Sequence, residues 1–212
     1  MRGARHRVEY KGTARVSPSG QYGGREIVMG KVTCIMRGLS AAACVAATVG
    51  LGGATARAAT STVSFRSTTF PYSIQYPAGW AHRVVLSGQQ KVEQFGLGPW
   101  GRDVVNVSVT AIAIRGASAA DDGALRRQLE AQRRKTYGNL SEVGTVRTSN
   151  HRLVMYAWNH TVNGQSLADT EVAFGDNGRV WVVVMVSDQG AGQRRWLPTY
   201  AAMLRSMRLR TA

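Results

Sequence analysis

Beyond residue 62 the hydrophobic pattern changes period along the chain, and the changes mark its elements. Short alternating runs at 63–66, 72–76, 83–86 and 91–97, each bounded by turn residues, predict four strands. The next run, 103–114, sets Val105, Val107, Val109 and Ala111 against Asn106, Ser108 and Thr110, which predicts a strand covering a core on one side. Residues 118–137 shift to helical spacing. Leu125 and Leu129 form a narrow apolar stripe, Arg126, Arg127, Arg133, Arg134 and Lys135 fall on the other faces, and Ser118 with Asp121 has the form of a capping box. From Ser141 to Val186 the punctuation predicts a β-meander, with Asn163-Gly164 as a hairpin turn and a second turn at 175–178. The strand 179–186 is apolar on both faces, so it is expected to be central and covered on both sides. A last helix, from about Gln193 to Arg208, places Trp196, Tyr200, Met203 and Met207 on one stripe, with Pro198 expected in its first turn.

These elements predict an α+β fold, a single α/β/α sandwich with a central antiparallel sheet and a closing C-terminal helix. The chain has 212 residues, 44% of them hydrophobic and 18% charged, a balance that fits a packed domain and disfavours wholesale disorder. No repeat or second domain boundary is visible after Ala59.

The net charge of +15 invites a nucleic-acid reading, but its distribution weakens that reading. Residues 1–58 hold nine basic against two acidic groups and so carry about half of the excess. Within them, Lys31 and Arg37 precede an uncharged run from Gly38 to Ala56, and small residues stand at Ala56 and Ala58. That is the three-part form of a secretory signal, with cleavage expected between Ala58 and Ala59. Residues 1–28 are read as a disordered or misassigned leader, 29–58 as the signal peptide and 59–212 as the folded domain. The mature form then has no membrane span and is exported, to a periplasm or the exterior before a thylakoid lumen. Both cysteines, Cys34 and Cys44, fall in the removed part, so the domain has no disulfide, thiolate metal site or cysteine nucleophile.

Residues 70–80, Phe-Pro-Tyr-Ser-Ile-Gln-Tyr-Pro-Ala-Gly-Trp, form an aromatic strand closed by a Pro-x-x-Trp turn. This resembles the opening of the PsbP family, and the element order is similar over about residues 62–210. The resemblance implies the same α/β/α sandwich. Its members include extrinsic photosystem II subunits, a nuclear import factor and exported bacterial proteins, so it implies no single activity. A plant-type extrinsic subunit would carry a longer docking segment than the stretch from Ala59 to about Thr69.

The chain carries few of the motifs that mark an active site. There is no Gly-x-Ser-x-Gly elbow, His-Glu-x-x-His helix or phosphate-binding Gly loop. His151 and His160 are nine apart on one predicted strand, which sends them to opposite faces, and Asp121 with Asp122 is read as helix capping. No cofactor and no metal is expected. Trp100, Arg102 and Asp103, in an apparent loop, and the cluster Arg133, Arg134 and Lys135 are the candidate partner contacts. The expected function is a non-enzymatic exported domain that binds a protein partner or extracytoplasmic assembly, with nucleic acid ranked well below. The alternative is an extracytoplasmic small-substrate hydrolase or lyase whose site is assembled only in the fold.

Overall fold

Strand pairing divides the molecule into two antiparallel sheets. The structure is a computed structural model and describes residues 61–97, 105–162 and 164–210. Four strands come first: β1 (Thr62–Arg66), β2 (Tyr72–Pro77), β3 (Ala81–Ser87) and β4 (Gln90–Gly96). β5 (Val105–Ala113) follows, then a 3-10 turn (Ala119–Asp121) and helix α1 (Asp122–Tyr137). The meander is β6 (Ser141–Arg147), β7 (Arg152–Val162), β8 (Gln165–Asp176) and β9 (Arg179–Asp188), and the chain closes with α2 (Ala191–Ser206) and a two-residue β10 (Arg208–Leu209). The seven-stranded sheet runs β3-β4-β5-β9-β8-β7-β6, and β1-β2-β10 form a second, three-stranded sheet.

β9 lies between β5 and β8, the central place that its two apolar faces call for. Val183 faces Val109 on β5 and Val172 on β8, and together they form a row on the side covered by α2 and the small sheet. Trp80, Trp181, Trp196, Tyr200, Met203 and Leu204 complete that core. On the opposite side Val180 and Val182 meet Leu125 and Leu129 of α1 in a second apolar cluster. The result is the α/β/α sandwich with its closing helix.

The two sheets are joined by a buried carboxylate. Glu93 of β4 accepts hydrogen bonds from Ser67 Oγ at 2.7 Å and from the Tyr72 hydroxyl. Burial, and then the adjacent Glu93, push the Tyr72 phenol far above its ordinary range, so it stays a donor. Arg210 ties the chain's end to the same place, donating through Nη2 to Ser67 O at 2.8 Å.

Pro198 departs from the expected helix start. α2 begins at Ala191, so Pro198 lies inside the helix and its ring nitrogen cannot bond the Arg194 carbonyl. The residue is exposed, where water can satisfy that carbonyl, and burial of Trp196, Tyr200 and Leu204 holds the helix in place. The turn between β8 and β9 has φ +49° at Asn177 and +68° at Gly178, the pair of positive angles that a type I′ hairpin requires.

Just before this turn β8 passes against the 3-10 turn, and a Cβ on Gly175 would lie 2.5 Å from the Ser118 carbonyl oxygen. Two backbones meet there, so no side chain can yield. Gly175→Ala is expected to lower stability by about 1–3 kcal/mol in urea unfolding, with the transition remaining cooperative.

Candidate functional site

The loop between β6 and β7 is folded back on itself: Thr148 N donates to His151 O at 3.0 Å and His151 N to Thr148 Oγ1 at 3.1 Å. This delivers the His151 imidazole to a point where α1 and the β8–β9 turn converge. Nδ1 lies 2.7 Å from Asp122 Oδ2 and Nε2 lies 3.5 Å from Asp176 Oδ2, while the ring packs 4.8 Å from Phe174. Asp122 also accepts from Gly175 N at 2.9 Å, so one carboxylate at the start of α1 grips both the imidazole and β8. Burial, the largest influence, pulls the His151 pKa down, but the hydrogen bonds and charges of Asp122 and then Asp176 outweigh it, and the net shift is upward. A general base needs a free nitrogen, and here both nitrogens face carboxylates. The group acts as a clamp between the start of α1 and the β8–β9 turn.

Two hollows flank the clamp. One of about 190 Å³ is lined by Asp122, Arg126, Leu129, Arg152 and Ala173, among others. The other, of about 260 Å³, has Phe174, Leu204, Met207 and Leu209 in its wall, with Asn150, His151, Asp176, Asn177 and Arg208 around them.

A second polar cluster lies between α1 and the sheet. Arg133 is 2% exposed; its guanidinium bonds Glu171 at 2.9 Å and lies 4.8 Å over the Trp158 ring. Tyr137 stacks on the same Trp158 ring at 5.2 Å between centroids. Asp169 is next on the same face of β8. Burial, and then the Glu171 charge, push its carboxyl up to about 8 against the weaker pull of Arg133, so it keeps its proton at neutral pH. Burial likewise raises Glu171 against Arg133. His160 Nδ1 stands 3.8 Å from Asp169 Oδ2, and burial lowers its pKa, which leaves the ring neutral.

The third feature is an edge. Among the described strands β3 pairs with β4 alone. Leu86 is 72% exposed, Val84 46%, and Val63 of β1 40%. Val84 and Leu86 lie on one face of β3, the face that His82 shares as it packs 4.3 Å from Phe65 and 5.0 Å from Phe95. Of the four charged residues in 61–97, Glu93 is buried, and Arg66, Arg83 and Lys91 are the basic ones left at or near the surface.

The expected contacts fare differently. Trp100, Arg102 and Asp103, and the cleavage residues Ala56, Ala58 and Ala59, lie outside the described residues. Arg133 is not on a solvated face: it continues the four-residue spacing of Leu125 and Leu129 and sits on the buried stripe. Arg134 and Lys135 are exposed, Arg134 paired with Glu130 one turn back at 3.0 Å. Asp121 closes the capping box with Ser118, its Oδ2 accepting from Ser118 N at 3.0 Å. Among the described residues no group of three His, Cys, Asp or Glu could hold a metal ion, and no helix is long and apolar enough to cross a membrane.

No family model and no curated protein matches this chain. Solved structures do share its arrangement. The cyanobacterial PsbP protein CyanoP of Synechocystis sp. PCC 6803 is 16% identical, with a TM-score of 0.46 over 76% of this chain and 99% of its own. The Ran-binding protein Mog1p of Saccharomyces cerevisiae is 6% identical, with a TM-score of 0.48 over 70% of this chain and 95% of its own. A protein from Bacteroides thetaiotaomicron VPI-5482 is 13% identical with a TM-score of 0.49, and this chain spans only 48% of its length. The likeness is to the Mog1p and PsbP-like sandwich, and no residue role is carried over from it.

Two outcomes follow from the clusters. Arg133→Met leaves Glu171 buried without its cation and is expected to cost about 3–5 kcal/mol in urea unfolding, with much of the loss recovered in the double variant Arg133→Met, Glu171→Leu. The His151 pKa is raised above 6.5, so its stabilisation is complete below that pH and is lost as pH rises through the folded value. Melting temperatures of wild type and His151→Asn should therefore differ most below that point and converge above it.

Proposed function

We propose that this chain is an exported, non-enzymatic domain that binds a protein partner, and that the partner adds an extended, acidic strand to β3. The observation that carries the reading is the β3 edge with Leu86 and Val84 exposed on it. A strand edge with no described strand beside it, carrying exposed apolar side chains, is a template for another strand. Main-chain hydrogen bonds supply affinity there, and alternate side chains supply selectivity. Lys91, which pairs with Leu86 across β3 and β4, is exposed while Glu93 is withdrawn into the core, and this favours acidic residues in that strand.

Export rests on the signal-like segment 29–58; cleavage after Ala58 removes residues 1–58, which leaves 154 residues and discards about half of the positive charge. The clamped state of His151 supports recognition over hydrolysis, because its nitrogens are engaged. Trp100, Arg102 and Asp103, between β4 and β5, are proposed as further contacts on the partner, and Arg134 and Lys135 as a separate basic contact.

A photo-activated cross-linking residue placed at position 86, in the native cell, tests the proposal. It should yield one dominant adduct with an acidic protein in the exported fraction, absent when the same residue replaces Arg205 on α2 and reduced about tenfold or more by adding Val84→Lys. No adduct at position 86, or equal adducts at both positions, would contradict it.

A further inference from the structure

We propose that the cleft of about 260 Å³ beside His151, lined by no residue of β3, is a binding site for an apolar group that carries a carboxylate. The volume lies just below the common range for small-molecule sites, about 300–1,000 Å³, so the occupant is the size of one large amino-acid residue. Of its twelve lining residues seven are polar or charged and five are apolar, Leu153, Phe174, Leu204 and Met207 being buried and Leu209 half-buried. Burying an aliphatic or aromatic group against them is the favourable step.

The charge of the cleft comes from counting its ionisable residues. His151 faces two carboxylates, Asp122 and Asp176, so that group is net negative even with the imidazole protonated, and any attraction for an anion must come from elsewhere in the lining. Arg208 is different: it is exposed and in no ion pair among the described residues. Its Nη1 donates to Arg205 O at 2.7 Å and Met207 O at 3.1 Å, which secures the side chain to the end of α2 while Nη2 and Nε keep their donor capacity. A guanidinium fixed at one nitrogen and open at the others is suited to a carboxylate. Ser149, Asn150 and Asn177, also exposed in the lining, offer hydroxyl and amide groups for the remaining oxygen.

The same chemistry occurs in a small aliphatic acid and in the C-terminal residue of a peptide, and one titration separates them. The isotopically labelled full domain is titrated with 4-methylpentanoate, with 4-methylpentanamide, and with the tripeptide Gly-Gly-Leu bearing a free or an amidated end, following the backbone amide signals of Asn150, His151, Asn177 and Arg208. Saturable shifts with the acid or the free tripeptide, about tenfold weaker with the matching amide and about tenfold weaker in Arg208→Gln, are expected. Whichever of the two binds more tightly identifies the source. Arg208 is exposed, and unchanged signals elsewhere show that the variant is folded. Absence of saturable shifts up to about 10 mM, equal binding of acid and amide, or binding indifferent to Arg208→Gln would overturn the assignment.

Discussion

Val180 and Val182 face α1 while Trp181, Val183 and Met185 face α2 and the small sheet, so β9 can exist only where both of its faces are dry. A single covered strand of this kind forces a three-layer protein. Each fully buried side chain of this size is worth about 1.5–3 kcal/mol relative to an exposed one, and β9 concentrates five of them between two helices. The buried polar groups follow from the same arrangement. Arg133 with Glu171 on one side and Glu93 with Tyr72 on the other lie where a layer closes over the sheet, and each satisfies a charge that the closure would otherwise strand.

Much of this was legible in the order of periods. The alternation at 105–111 and the double apolar face of 179–186 place β5 and β9 correctly, and Leu125 with Leu129 gives the buried side of α1. Arg133 was legible as well, since it stands one further step of four along that stripe, but its charge argued for solvent, and the Glu171 that reverses the argument is 38 residues away. The same holds for Glu93, which shares a strand face with Phe95 and finds its donors 21 and 26 residues earlier. His151 takes its partners from positions 29 and 25 residues distant, so neither the clamp nor the cleft beside it leaves a local signal. β10 is two residues long, and the separate sheet it forms with β1 and β2 cannot be seen in any period.

α2 and the small sheet close one face over β9, and α1 closes the other over β7 and β8. At the far side β3 ends the sheet with no described strand beyond it, without proline or lysine and with two exposed aliphatic side chains. Edge strands in proteins that avoid pairing are usually short, charged or bulged. β3 has seven residues in unbroken register with one charged side chain, Arg83, so that protection is sparse.

Hydrogen exchange on the isolated domain, residues 59–212, is the most direct test, because it reads the centre and the edge of the sheet together. The β9 amides should exchange only through global unfolding, while the alternate β3 amides that face away from β4 should exchange orders of magnitude faster. Protection of those β3 amides equal to that of β9 in the isolated domain would show the edge already covered, and would contradict the claim that it is open to a partner.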